Sequence, residues 1–384
     1  MRRRGRASRK EMTCDRCDEA ARQGCRFCPK CGEPLDACTM CAEYASKGYE
    51  YCGRCGRNLK EPEKKEDFIV EKTVFITVIC VAVMLVIEAI TMLWYSADTY
   101  SFLSDRSISM ILLLPTMVTV GTLDGVALQL FWIFIVVAII ASCIVIAYQS
   151  RTILDKNSPN FIPRIRTTPV YWIALFFGAY LILSIVISAI EGALGYSIVI
   201  PEDLPTGVSP ESIFSFADAA VWEEIISRMI PIGIPMAIVA GLCGRRDCLK
   251  FLFGGFGVTR VALVLIVVSG IIFGMAHEGA WGSSKIIPTI IGGLLMGYLY
   301  VRFGIHASIV FHFLLDYSAV ITEVIGHELF SFIFILVAIT GFVAVAGVFK
   351  YMKEGVSHIR GMPVWIFEKE PEPDHEESSD SSLD

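Results

Sequence analysis

The sequence predicts an all-α polytopic membrane protein of about eight transmembrane helices, preceded by a small double zinc-ribbon module. Three observations lead there. The 384 residues are 54% hydrophobic, with a mean hydropathy of +0.59. Several apolar runs exceed the roughly 18 residues that mark a spanning helix. Nine of the 13 cysteines crowd between Cys14 and Cys55. The net charge of -6 averages a basic start, acidic loops and an acidic tail, so its distribution says more than its total.

The cysteines come first. Cys14-x-x-Cys17, ten residues and Cys28-x-x-Cys31-Gly32 are followed 24 positions on by Cys38-x-x-Cys41, ten residues and Cys52-x-x-Cys55-Gly56. Two CxxC knuckles supply the four thiolates of a closed tetrahedral zinc site, so each repeat is expected to hold one structural Zn2+. Cys25 aligns with Tyr49 in the second copy and is a spare thiol. The segment opens with Arg2, Arg3, Arg4, Arg6, Arg9 and Lys10 and lacks an apolar signal-peptide core, which places it in the cytoplasm. There, paired CxxC motifs are metal sites rather than disulfides. So small a module needs its metal to fold. It is either a docking head for a protein partner or a folded cap. Neither repeat interleaves basic and aromatic residues in the way nucleic-acid binding would favour. Cys80, Cys143, Cys243 and Cys248 sit in or beside the apolar runs and read as small apolar residues.

After a linker over 61–72, spans are expected at 73–95, 124–148, 169–190, 214–241, 258–278, 285–302, 305–324 and 329–350. The run 107–121, interrupted by Pro115, is too short to span and is expected as an interfacial or re-entrant piece. With the N-terminus inside, the inner connections carry Arg151, Lys156, Arg164 and Arg166, then Arg245, Arg246 and Lys250, then Arg302, then Lys350, Lys353 and Arg360. The outer connection over 191–218 has no Lys or Arg, and that over 97–109 has only Arg106. This is the positive-inside pattern, and it sets both termini in the cytoplasm. A further span at 107–121 would reverse it. The domain order is therefore 1–60 ribbons, 61–72 linker, 73–168 N-terminal helices, 169–350 core and 351–384 an acidic, Ser-rich disordered tail.

A charged group at the bilayer centre costs about 2.5 to 3.5 kcal/mol even on the lenient insertion scale, so ionisable groups in these spans call for a function. The fourth span contains Glu223-Glu224-Ile225-Ile226-Ser227-Arg228. Spacing of four puts Glu224 and Arg228 on one helical face as an ion pair. Glu223 is turned about 100° away and keeps a carboxylate for chemistry. A purely structural ion pair accounts for Glu224 and Arg228 but leaves Glu223 unexplained. The fifth span ends in Phe273-Gly274-Met275-Ala276-His277, where a lone histidine has an ordinary interfacial role as its rival assignment. On the seventh, His312 and Asp316 share a face one turn apart. Two imidazoles, a free carboxylate and an acid partner are the groups that activate water against a peptide carbonyl.

Other protease chemistries lack their residues. His277-Glu278 and His327-Glu328 are not followed by the histidine an HExxH zincin requires. No GxSxG elbow is present. A pair of intramembrane aspartates in a Gly-rich context is also missing.

Glu-Glu-x-x-x-Arg, Phe-x-x-x-His and His-x-x-x-Asn/Asp, in that order on successive helices, resemble the CAAX-protease and bacteriocin-processing intramembrane proteases, which include the type II CAAX prenyl endopeptidase. The motifs match at Glu223, Glu224 and Arg228, at Phe273 and His277, and at His312 and Asp316. The resemblance extends over about residues 169–325 and leaves out the ribbons. It implies Glu223 as general base, His277 holding the attacking water, His312 near the developing oxyanion, and Glu224 with Arg228 as support. Asp316 stands where the prenyl endopeptidase pattern has Asn. An ionised Asp cannot donate to an oxyanion, so Asp316 either orients His312 or, with Glu223, His277 and His312, helps bind a divalent metal; metal-free glutamate chemistry is slightly preferred. The expected substrate is a membrane-associated protein or peptide, prenylated proteins among them. A non-enzymatic scaffold or transporter-like bundle with a docking head is the alternative. Glu223 lies roughly 14 Å in from the outer end of its helix at 1.5 Å per residue, which sets the site away from the cytoplasmic ribbons.

Overall fold

Eight apolar helices long enough to cross a bilayer occur among the described residues, at the eight places expected, and the chain is an integral multi-pass membrane protein. The computed structural model describes residues 69–114, 116–154, 164–196, 199–201, 204–205, 207–359 and 364. The ribbon cysteines and the acidic tail lie outside them.

The first span, α1 (Ile69–Trp94), shows how such a helix is partitioned. Ile76, Ile79, Val83, Val86 and Ile90 are exposed, while Glu71, Thr77, Glu88 and Thr91 are buried. The surface is apolar and the interior carries the polar groups, the arrangement for a helix that meets lipid on one side and its neighbours on the other. The buried side packs on α4 (Pro169–Ala193), α10 (Ile305–Ile325) and α11 (His327–His358). Thr77 and Thr340 share a hydrogen bond of 2.7 Å across α1 and α11.

Between α2 (Ser96–Phe102) and α3 (Gly125–Gln149) the chain departs from the all-α expectation. The stretch expected as an interfacial or re-entrant piece is an antiparallel hairpin of β1 (Ser107–Leu114) and β2 (Thr116–Asp124). Its strands are rich in β-branched Ile, Val and Thr, and the sequence between them holds a proline, which has no N–H for a continuing helix. The register shifts at Met110/Ile111, opposite Gly121 and Thr119. There the Ile111 carbonyl accepts the Trp222 indole N–H at 3.0 Å. The hairpin thus holds the residue next to Glu223.

The fourth span is not a uniform α-helix either. Ser209 and Ser212 form a reciprocal capping box and Pro210 takes the first turn, starting α5 (Pro210–Asp218). The chain then widens into π-helical segments, Ala219–Glu223 and Ile225–Gly233, before α6 (Ile234–Leu242). Pro231 within the second segment and Pro235 just beyond it lack the N–H groups a regular α ladder needs. Isolated π turns recur at functional sites, where they re-aim side chains.

The next spans are drawn together by small residues. α7 (Arg260–Ala276) leads through the short α8 (Glu278–Trp281) into α9 (Ile286–Phe303). A Cβ on Gly274 would lie 2.9 Å from the Ile286 carbonyl oxygen, and one on Gly293 would lie 3.0 Å from the Gly270 Cα. The paired small-xxx-small stripes Gly270/Gly274 and Gly293/Gly297 therefore let two backbones touch. Gly274→Leu is expected to cost about 1–3 kcal/mol by overpacking. Its readout is a lower monodisperse fraction after extraction, together with displacement of His277 one turn away.

Candidate active site

Glu224 is the hub of the site. It is fully buried and lies between α10 and the guanidinium of Arg228 on its own helix. The His312 Nδ1–H donates to its Oε1 at 3.0 Å and the Ser308 hydroxyl donates to its Oε2. Arg228 Nε stands 3.4 Å from the same Oε2, so the expected ion pair forms.

Arg228 is itself fully buried. Its Nη1 donates to the Ser227 carbonyl at 3.1 Å and to the Ser269 hydroxyl at 3.4 Å, and Ser269 in turn donates to the Ser227 carbonyl. The guanidinium also rests over the Phe273 ring, 4.6 Å from its centroid. Phe273 then meets both imidazoles edge-on, His277 at 4.7 Å and His312 at 6.1 Å between centroids. It separates the supporting cation from the two histidines.

The Phe-x-x-x-His spacing has a hydrogen-bonding reason. α7 stops at Ala276, and the ring of His277 turns back so that its Nδ1–H donates to the Phe273 carbonyl at 2.8 Å. That bond assigns the proton to Nδ1 and leaves Nε2 as an acceptor. Nε2 stands 3.7 Å from Glu223 Oε2. His312 Nε2 stands 3.8 Å from the same oxygen and 3.3 Å from Asp316 Oδ2. Both distances to Glu223 exceed a direct hydrogen bond and suit a shared water.

The structure thus brings all six sequence-predicted residues together, in two layers. Glu224 and Arg228 are sealed in the interior. Glu223, His277, His312 and Asp316 line a cavity of about 440 Å³. Its other walls are mainly apolar, with Phe177 and Tyr180 from α4, Phe216 from α5, Met296 from α9, and Phe330 and Phe334 from α11. Asp316 is placed on His312. Among the described residues no three His, Cys, Asp or Glu side chains form a group that could hold a metal ion.

Several contributors escaped the sequence reading. Ser308 lies one turn before His312 on α10 and would have been found by following that face back. Glu88 is completely buried in α1 with neither carboxyl oxygen partnered among the described residues. Asp218 leaves one buried oxygen unpartnered a turn before Glu223. Each is an acid within an apolar run, the same signal that exposed Glu223.

Residues 207–318 match the family model described as Type II CAAX prenyl endopeptidase Rce1-like. The match covers less than a third of the chain, and all six site residues fall inside it. No curated protein and no solved structure matches the chain.

Proposed function

We propose that the chain is an intramembrane endopeptidase that hydrolyses peptide bonds of membrane-associated proteins, prenylated ones among them, with a water activated by Glu223. The convergence of His277 Nε2 and His312 Nε2 on Glu223 Oε2, at 3.7 and 3.8 Å inside a largely apolar cavity, carries this reading. The family match over the same residues supports it.

In the proposed step a water bound between Glu223 and His277 gives one proton to the Glu223 carboxylate as its oxygen attacks the scissile carbonyl. His277 Nε2 accepts the water's second hydrogen and fixes the direction of attack. His312, whose Nδ1–H is committed to Glu224, offers Nε2–H to the developing oxyanion when both ring nitrogens carry protons. Asp316, 3.3 Å from that nitrogen, orients it. Glu223 then passes its proton to the leaving nitrogen as the C–N bond breaks. Glu224 and Arg228 hold His312 and Phe273 in place.

The test is direct. Purified protein in lipid discs, given a short prenylated peptide, is expected to release two fragments whose summed masses exceed that of the substrate by one water. A scaffold or transporter-like bundle would return the peptide intact.

Topology and metals complete the proposal. The Lys and Arg distribution supports cytoplasmic termini. The repeated CxxC pairs support two structural zinc ions, on Cys14, Cys17, Cys28 and Cys31 and on Cys38, Cys41, Cys52 and Cys55. Elemental analysis of the whole chain is expected to give about two zinc ions, one per four-thiolate site. His277→Ala or His312→Ala should leave that count unchanged. A divalent ion lost with either histidine would instead place a metal in the active site.

A further inference from the structure

We infer that the Tyr180 hydroxyl is a second hydrogen-bond donor to the oxyanion, supplied beside Asp316, which has none to give. This rests on the proteolytic function proposed above and adds to the same site a catalytic residue from α4, outside residues 207–318.

The need for such a donor follows from the surroundings of His312. Its Nε2–H, the group offered to the oxyanion, already faces the Asp316 carboxylate at 3.3 Å. An ionised carboxylate only accepts, so Asp316 competes for that hydrogen and repels the charge that develops beside it. His277 does not redress the balance, since its Nδ1–H is held by the Phe273 carbonyl at 2.8 Å and its Nε2 is an acceptor. One contested donor makes a weak oxyanion hole, because the effect depends on preorganised donors aimed at the developing charge.

Tyr180 meets the requirement by place and by chemistry. It lines the cavity with Glu223, His277, His312 and Asp316, and its phenol lies within electrostatic range of Asp316. Its depth is set by α9. A Cβ on Gly292 would lie 3.3 Å from Tyr180 Cε2, and one on Gly293 would lie 3.3 Å from Phe273 Cδ1. Consecutive residues of α9, about 1.5 Å apart along its axis, therefore back the tyrosine and the ring that meets both imidazoles. Ser184, one turn on along α4, presents its hydroxyl to the phenol oxygen and is otherwise buried without a partner among the described residues. With Ser184 as donor on that side, the phenol O–H is left for the cavity. Ser184, Thr289 and Ser318 line the same walls but are short, and the Ser318 hydroxyl is committed to the Leu315 carbonyl at 2.6 Å. A phenol carries its donor a ring's length out from the helix. As the scissile carbonyl becomes tetrahedral, its oxygen accepts from Tyr180 and His312 together. Tyr180 keeps its proton throughout, and both bonds slacken when the C–N bond breaks.

Tyr180→Phe removes the donor and keeps the ring on Gly292. With the full chain in lipid discs and one prenylated peptide, kcat is expected to fall about 10²- to 10³-fold, the loss usual for one oxyanion donor. KM should stay within about twofold, because the oxyanion exists only beyond the ground state. Asp316→Asn, which places an amide donor beside His312, should remain active. In that background Tyr180→Phe should cost less than about 10-fold, a coupling that a purely structural role for the phenol would not produce. Wild-type kcat in Tyr180→Phe, a loss confined to KM, or the same loss in both backgrounds overturns the donor while leaving proteolysis standing. An inactive Asp316→Asn overturns it as well, since the carboxylate would then be a requirement and not a competitor. Failure of wild type to cut the peptide removes the proteolytic function and the donor with it.

Discussion

Glu223→Gln is expected to lower turnover of a prenylated peptide by about 10²- to 10⁴-fold, the usual share of a positioned general base. The substitution keeps the size and shape of the side chain and leaves a group that cannot take a proton from water. It should scarcely change stability, because Glu223 faces the cavity and makes no contact with either histidine shorter than 3.7 Å. Affinity for an uncleaved peptide should also hold, since the water, and not the substrate, is what the carboxylate engages. The measurement is kcat by single-turnover cleavage beside Kd by fluorescence anisotropy on the same preparation. A variant that cleaves at the wild-type rate would falsify the assignment of Glu223 as base. The same variant in intact membranes should accumulate the uncleaved natural substrate, which comparative proteomics would identify.

The layout of this site was legible to different depths. Spans such as α1 and α11 announce themselves by hydropathy, because the bilayer demands long apolar runs whatever the tertiary packing. Glu223, Glu224, Arg228, His277, His312 and Asp316 stand out for the converse reason, as groups a bilayer resists. How they divide the work was less legible. An α-helical wheel assumes a regular turn, and the fourth span widens into π turns over Ala219–Glu223 and Ile225–Gly233, where Pro231 interrupts the ladder. The i,i+4 contact between Glu224 and Arg228 survives that change, and Glu223 still lines the cavity while Glu224 is buried.

The hairpin was hidden for another reason. Its run of Ile, Leu, Met and Val is as apolar as a short helix, and periodicity cannot separate the two at that length. The better signals were β-branched residues on both sides of Pro115 and Gly121 beside the bulge. Its significance depends on a tertiary contact, the Trp222 indole on the Ile111 carbonyl, which no local pattern predicts. Ser308 and Thr289 are similar cases. Hydroxyls are tolerated in spans because they can bond within their own helix, so their presence alone says nothing. Only the fold shows that one binds Glu224 and that the other, buried, has no partner among the described residues.

Glu224→Ala is expected to fail in the opposite way from Glu223→Gln, through the fold before the chemistry. The substitution strips the Arg228 guanidinium of its carboxylate partner while leaving it fully buried. It also deprives His312 Nδ1 and the Ser308 hydroxyl of their acceptor. Removing one partner of a buried pair costs about 3–5 kcal/mol, mostly for the charge left behind. That is a large fraction of the roughly 5–15 kcal/mol by which a domain is stable. Arg228→Ala should be comparably harmful, since it leaves Glu224 as the uncompensated charge and removes the cation from the Phe273 face. The informative comparison is Glu224→Gln with Arg228→Met. Together they remove both charges, keep an acceptor for His312 and fill the volume over Phe273, so the double variant should be more stable than either alanine single. Resistance to proteolysis across a denaturant series, read for wild type, both alanine singles, the two conservative singles and the double, gives the coupling energy. Additive losses from Glu224→Gln and Arg228→Met would show that the pair does not act as a unit. If the coupling is present, any activity the double variant retains measures how much of the site depends on the placement of His312 alone.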